Sequence, residues 1–182
     1  MKVTRKQMLE ILPNGAVRIA DFLHYINIWT DTFEINTPLR MAHFLGQILH
    51  ETNGLKYLHE LGEDKYFKKY EQGNLAKNLG NTKVGDGLKY KGRGLIMITG
   101  RANYRAYQNS GYCNADIMNE PELLERPCGA TKSGMWWWKK HGCNRLADKD
   151  DILALTKKIN GGINGLENRT YWTNKCKKVF GV

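Results

Sequence analysis

The sequence contains no long hydrophobic run. No apolar stretch approaches the roughly 20 residues that span a bilayer, so no transmembrane segment is predicted. Residues 8–12, which follow a basic N-terminus, are interrupted by Glu10 and are too few and too polar for the apolar region of a signal peptide. We therefore expect a protein that is made in the cytoplasm without stable membrane insertion. Any role outside the cell would require a separate route of export or release.

Cysteine is scarce, and its spacing argues against a metal site. The four cysteines are 15, 15 and 33 positions apart and include no CxxC pair, so a zinc site is not expected. Without a signal peptide, we expect buried or half-buried thiols. A bond between the first two cysteines stays open for an oxidising compartment. The four are Cys113, Cys128, Cys143 and Cys176.

Acidic residues are outnumbered by basic ones. The chain has 18 Asp and Glu against 28 Lys and Arg, for a net charge of +10. Such an excess favours a polyanionic partner, which could be nucleic acid, an anionic membrane or an acidic cell wall. The chain lacks a helix-turn-helix, a zinc finger, an RNA-binding aromatic motif and the phosphate motifs GxGxxG and GxxxxGKS/T. We therefore expect no nucleic-acid partner.

Length and composition indicate one globular domain over residues 1–182, with residues 61–90 as a candidate small lobe. A chain of 182 residues with 41% hydrophobic content can bury most of its surface on folding. Three adjacent tryptophans at 136–138 cannot share one helix face, so we expect some in the core and at least one lining a groove. Apolar periodicity predicts helices over residues 4–12, 17–33, 38–52, 101–109, 129–141, 152–159 and 166–180.

Several residues mark where these helices begin and end. Thr4 is predicted to cap the first helix, and Asp148 the helix at 152–159. Pro38 suits a first helical turn, where its missing N–H is not needed. Asn53-Gly54 predicts the end of the helix that begins there, because both residues tolerate the left-handed conformation.

Two glutamates flank this predicted break. Glu51 and Glu60 are nine positions apart, and on an unbroken helix they would lie on opposite faces. A chain that turns after Asn53 can bring Glu60 back opposite Glu51. Two facing carboxylates are what acid/base cleavage of a glycosidic bond requires. The alternative is that both are solvated surface charges, as most glutamates are.

A glycine-rich stretch supplies a further candidate. Gly92 and Gly94 allow the backbone to approach another group closely. The apolar run Leu95–Ile98 that follows is predicted to be buried and to hold Thr99 in place. A hydroxyl anchored by a buried run is suited to positioning a water molecule.

Four motifs occur in order along the chain. They are His50-Glu51-Thr52-x-Gly54, Glu60, Gly92-Arg93-Gly94-Leu95-Ile96-x-Ile98-Thr99 and Ile159-Asn160-Gly161-Gly162. Together they resemble the family 19 glycoside hydrolases, which include chitinases and many phage endolysins. The short chain and its segment GDG-x-KYKGRG resemble the endolysins more than the secreted chitinases. The resemblance implies one catalytic domain, mainly α, with a lysozyme-like helical fold: two lobes around a substrate groove and at most a small β-hairpin or sheet.

The resemblance also implies a role for each matching residue. Glu51 would be the general acid and Glu60 the general base of an inverting mechanism, and Thr99 would hold the attacking water. Asn160 and Gly161 would bind the substrate's N-acetyl group, although Asn160 could instead be a helix C-cap. No metal or other cofactor is expected.

Five further residues are assigned to substrate binding: His50, Tyr90, Asn103, Tyr104 and Arg169. We expect Arg169 to pair with an acidic residue so that the base stays ionised while Glu51 is held protonated. An exposed, unpaired charge is the alternative for Arg169.

Two positions depart from the family pattern, and both bear on the substrate. Met97 stands where the family usually has Gln, and Ala102 where chitinases often carry an aromatic residue.

We expect a monomeric, bacteriolytic endolysin that reaches the cell wall after a phage-type release. Its expected substrate is the glycan strands of peptidoglycan, because the stem-peptide carboxylates of this polymer attract a basic protein. A chitinase and a non-catalytic wall-binding module are the alternatives. On the enzymatic interpretation, Glu51→Gln and Glu60→Gln each abolish wall lysis and leave the fold intact.

Overall fold

The structure is a computed structural model that describes all 182 residues, and it is mainly α-helical. The chain forms two compact units, one of Met1–Tyr57 with Met135–Val182 and one of Leu58–Gly134. The candidate lobe at 61–90 lies within the second unit. In chain order the helices are α1 (Arg5–Ile11), α2 (Ala16–Trp29), α3 (Pro38–Glu51), α4 (Asp64–Phe67), α5 (Gly73–Leu79), α6 (Asp86–Lys89), α7 (Arg101–Gln108), α8 (Pro127–Lys140), α9 (Cys143–Ala147), α10 (Ile152–Asn160) and α11 (Leu166–Phe180).

Most predicted helix ends are confirmed. Thr4 caps α1 through a capping box with Gln7, and Pro38 occupies the first turn of α3. Asn53 and Gly54 have φ values of 48° and 71°, so the chain leaves the helix there as expected.

The predicted cap of α10 is wrong. Asp151, not Asp148, caps this helix by accepting a hydrogen bond from the Ala154 N–H at 2.8 Å. Asp148 instead accepts two hydrogen bonds of 2.7 Å from the Arg40 guanidinium. An arginine 108 positions away in the sequence therefore determines what this carboxylate does.

The core of the first unit is built around α3. All residues from Met41 to Leu49 are buried, and α3 packs along α11. At Gly46 an added Cβ would lie 2.1 Å from the Thr173 hydroxyl oxygen, so only glycine permits this close approach. Trp138 is fully buried and meets Phe44 edge to face. The close contact of α3 with α11 is what positions the C-terminal end of α3.

The second unit consists of short helices and turns rather than a sheet. Its β structure is limited to two isolated bridges, from His59 to Arg93 and from Arg93 to Ile98. This confirms the expectation of at most a small β element. The bridges bring the segment that follows Leu58 beside the glycine-rich stretch at 92–100.

No helix has both the length and the apolar character needed to cross a membrane.

All four cysteines are free thiols. Burial raises the pKa of Cys143 and of Cys176 to about 12. Cys113 is half-buried as expected, whereas Cys128 is exposed.

Candidate active site

Glu51 is the last residue of α3, and its carboxylate is fixed by an arginine. Arg169 of α11 donates from Nη2 to the Glu51 Oε1 atom and from Nη1 to the Gln47 Oε1 atom at 2.6 Å. Gln47 lies one turn before Glu51, on the same face of α3. The Arg169 side chain is 1% exposed and that of Glu51 16% exposed. The second carboxylate oxygen, Oε2, makes no hydrogen bond and stays available.

The expected pairing of Arg169 with an acidic residue is confirmed, but the expected role of this pair is not. This residue pairs with Glu51, the predicted acid, rather than with the predicted base. The alternative of an exposed, unpaired charge is also wrong, because Arg169 is buried. The physical reason is the packing of α3 along α11, which places position 169 beside positions 47 and 51.

The remaining predicted residues of the first unit lie near the ends of helices. The His50 Nδ1 atom is 2.9 Å from the Asn168 Oδ1 atom, and an added Cβ at Gly165 would lie 2.2 Å from the His50 ring. Asn160 is exposed at the end of α10 and its side chain makes no hydrogen bond, whereas Gly161 takes the left-handed C-cap position at φ 78°. The interpretation of Asn160 as a structural C-cap is therefore wrong.

Glu60, in the second unit, is held at both carboxylate oxygens. The Tyr70 hydroxyl donates to Oε1 at 2.6 Å, and the Gly92 N–H donates to Oε2 at 3.3 Å. The Glu60 N–H in turn donates to the Gly92 carbonyl oxygen at 2.8 Å. Burial, together with the hydrogen bond to Glu60, raises the pKa of the Tyr70 phenol well above its ordinary value. Tyr70 therefore stays protonated as the donor.

Thr99 lies next to Glu60 in the same unit. Its hydroxyl donates to the Met97 carbonyl oxygen at 2.9 Å, so its lone pairs remain free to accept. The Asn103 side chain donates to the Thr99 carbonyl oxygen at 2.8 Å. A Cβ built on Gly92 would lie 3.0 Å from Thr99 Oγ1 and 3.4 Å from Glu60 Oε2. Both oxygens therefore lie on the same side of Gly92, and the Met97 Cβ atom lies beside them, 3.2 Å from the same Cβ position.

Comparison with known proteins identifies the family. A relative from Haemophilus influenzae, described as a glycosyl hydrolase family 19 domain-containing protein, is 35% identical over 157 residues, which are 72% of this chain and 75% of the relative. This chain belongs to glycosyl hydrolase family 19. It is therefore a glycoside hydrolase, as its motifs predicted.

Other comparisons of this family 19 chain bear on its fold. An endochitinase from Pisum sativum is 27% identical over 123 residues, which are 53% of this chain and 38% of the endochitinase. The crystal structure of chitinase C from Streptomyces griseus has a TM-score of 0.71 at 20% identity, and the match covers 99% of this chain and 93% of that one. No family model matches the chain. The mainly helical, lysozyme-like fold class is confirmed.

Two tyrosines of this family 19 chain that were assigned to substrate binding lie inside the second unit. Tyr90 is 2% exposed and donates to the Met118 carbonyl oxygen, and Tyr104 is 0% exposed and donates to the Lys91 carbonyl oxygen. Tyr104 is fully buried, only a small edge of Tyr90 reaches the surface, and both hydroxyls are used within the unit. Their contacts instead support the turn that carries Gly92.

Sequence reasoning missed four residues that support the two glutamates. Gln47 could have been found, because it lies four positions before Glu51 on a helix. Tyr70 carried no signal, since no pattern links it to Glu60. Glu125 joins His59, at 2.9 Å from Nδ1, to Arg93, whose Nε donates to it at 2.6 Å. This network ties the residue before Glu60 to the residue after Gly92. The missed residues are Gln47, Tyr70, Gly92 (as the neighbour of Glu60 and Thr99) and Glu125.

Proposed function

We propose that this family 19 enzyme is an endolysin-type glycosidase that cleaves β-1,4 bonds of bacterial peptidoglycan by an inverting acid/base mechanism. The observation that carries the mechanism is that Glu60 Oε2 and Thr99 Oγ1 lie on the same side of Gly92, with no side chain of Gly92 between them. A neighbouring carboxylate and hydroxyl acceptor are suited to holding a water by both of its protons.

The base half of the mechanism uses the second unit. A water held between Glu60 and Thr99 donates one hydrogen bond to the Glu60 carboxylate and one to a free lone pair of the Thr99 hydroxyl, which turns a lone pair of the water oxygen toward the sugar. As the water attacks the anomeric carbon, Glu60 takes its proton. Tyr70 and the Gly92 N–H hold the carboxylate still, so little reorganisation accompanies the transfer.

The acid half uses the first unit. In the free enzyme Glu51 is the carboxylate that pairs with Arg169; it takes up a proton on Oε2, the oxygen without a hydrogen-bond partner, when the substrate binds, and donates that proton to the leaving glycosidic oxygen. Arg169 holds Oε1 and stabilises the carboxylate that remains after the transfer. An inverting mechanism requires the two carboxyl groups to be about 6.5–9.5 Å apart during the reaction, which leaves space for the water.

Charge supports peptidoglycan as the substrate. A net charge of +10 attracts a polymer that carries stem-peptide carboxylates, whereas a neutral chitin chain makes no use of it. Chitin is the second candidate, because the relative from Pisum sativum and the structural neighbour from Streptomyces griseus are named as chitinases. Met97 and Ala102, which depart from the family pattern, weaken the case for chitin.

Turnover on the two polymers tests the substrate. We expect kcat/KM on purified cell wall to exceed that on a soluble chitin oligomer, and the preference to fall between 50 and 200 mM salt, because screening weakens charge attraction. Mass spectrometry of the released reducing ends identifies the bond that is cut. Turnover of the oligomer with none of the wall would reverse the order of the two candidates.

The lack of a side chain at Gly92 yields a separate prediction. Gly92→Ala places a methyl group 3.0 Å from Thr99 Oγ1 and 3.4 Å from Glu60 Oε2, where it crowds the water that these two oxygens hold, so we expect kcat to fall by about 10²-fold. The melting temperature should change little, because a shift of a few tenths of an ångström relieves the contact. Steady-state kinetics and thermal unfolding measure the two effects. A kcat within twofold of the wild type would contradict the placement of the water.

A further inference from the structure

A second cleft lies within the second unit, and its lining is mostly cationic. Its volume is about 460 Å³, in the range of small-ligand sites. Four of its lining residues are basic and one is acidic. The lining residues are Lys83, Val84, Gly85, Asp86, Lys89, Tyr90, Arg101, Arg105, Met118 and Asn119.

The one acidic residue of the lining is engaged by other groups. The Asp86 Oδ2 atom accepts hydrogen bonds from Arg101 Nε at 2.7 Å and from the N–H groups of Thr82 and Lys83 at 2.9 and 3.0 Å. Burial opposes ionisation of Asp86, but these hydrogen bonds outweigh it and lower the pKa of the carboxyl. Asp86 is thus a buried carboxylate that neutralises Arg101, and the other cations keep their charge.

The remaining three cations have no ionic partner. Lys83, Lys89 and Arg105 are exposed, and none forms an ion pair. Lys89 ends α6, and Arg105 lies one turn beyond Arg101 on α7. Three unpaired charges around one concave surface repel one another, which costs free energy unless an anion occupies the space between them.

Part of the wall of the cleft is held in place by contacts within the unit. The Glu71 carboxylate accepts hydrogen bonds from the Gly85 and Gly87 N–H groups at 3.1 and 3.0 Å, which anchors the loop that carries Lys83. Arg101 lies over the Tyr90 ring, with its guanidinium carbon 4.8 Å from the ring centroid. A site whose walls are already in place loses little entropy when it binds a ligand.

We propose that this cleft binds an oxyanion, a carboxylate or a phosphate, carried as a substituent on the wall polymer. The identity of the polymer rests on the proposed function, whereas the preference for an oxyanion rests on the cleft alone. The volume admits the anion together with part of the peptide or sugar that carries it. Two sources share this chemistry, namely the carboxylates of peptide stems and the phosphodiesters of wall-linked polymers.

A charge-matched pair of variants tests the binding. The triple variant Lys83→Ala, Lys89→Ala, Arg105→Ala removes the three free cations. The control Lys68→Ala, Lys77→Ala, Arg126→Ala removes the same charges from exposed positions in the same unit. Amide NMR shifts at residues 83–89 and 101–105 should respond to millimolar inorganic phosphate or acetate in the wild type and the control, and not in the cleft variant. No response in the wild type, or equal loss in both variants, would overturn the proposal.

Hydrolysis of four substrates then assigns the source of the anion. On intact wall at low salt, we expect the cleft variant to raise KM about tenfold with kcat unchanged, and a neutral chitin oligomer to show no change. If the KM difference between variant and wild type disappears after phosphate polymers are removed from the wall, the anion is a phosphodiester. If it disappears after the wall carboxylates are amidated, the anion is a peptide-stem carboxylate. Phosphate binding without any wall hydrolysis would overturn the proposed function and leave the anion site standing. An unchanged KM on intact wall would overturn the polymer as the carrier.

Discussion

Glu51→Gln is expected to lower kcat by about 10⁴-fold and to destabilise the protein by about 3 kcal/mol. The activity falls because an amide cannot supply the proton that the leaving oxygen needs. The stability falls because Arg169, 1% exposed, loses the carboxylate that balances its buried charge. Kinetics on a soluble chitin oligomer and on purified wall measure the first effect, and urea unfolding the second. The sequence alone predicted an intact fold for this variant, and the contact with Arg169 adds the stability cost.

A double variant separates the two effects. Glu51→Gln combined with Arg169→Met removes the buried charge as well as its partner, so part of the lost stability should return. The activity should not return, because the proton donor is still missing. Recovery of activity in the double variant would show that the single variant failed by unfolding. Activity within tenfold of the wild type in a folded Glu51→Gln protein would exclude Glu51 as the acid.

Glu60→Gln is expected to lower kcat by about 10³-fold with little change in stability. The amide oxygen still accepts the Tyr70 hydroxyl, but the side chain can no longer take a proton from the water. Kinetics on the same two substrates measure the loss, and proton NMR of the wild-type product gives the configuration of the new reducing end. An inverting enzyme releases the α-anomer from a β-linked substrate.

A neighbouring glutamate provides the control for this variant. Glu63→Gln changes the same charge in the same unit, but Glu63 is exposed and pairs only with the exposed Lys65 at 2.8 Å. We expect its kcat to match the wild type, since surface ion pairs of this kind contribute little. A loss of activity in Glu63→Gln as large as that in Glu60→Gln would attribute the effect to net charge. Release of the β-anomer by the wild-type enzyme would exclude an inverting mechanism.

The predictions from sequence succeeded where the cause is local. Thr4, Pro38 and Asn53-Gly54 act within a few residues of their own positions, so the helix ends they mark could be read from the chain. Asp148 failed as a cap because the competing partner, Arg40, is far away in sequence. The burial of Tyr90 and Tyr104 could not be predicted, because burial depends on what packs over a residue and no local pattern reports that.

By itself, the sequence indicated the family and the helical fold class and singled out two glutamates and a threonine as candidates, because motifs and helix signals are properties of short segments. Only the tertiary structure decided which groups surround them. The pairing of Glu51 with Arg169 joins residues 118 positions apart, and the hydrogen bond from Gly92 to Glu60 joins residues 32 positions apart. The cationic cleft likewise combines α6, α7 and a loop held by Glu71. Partners of a charged side chain are selected by packing between distant segments, and that packing is a property of the folded chain.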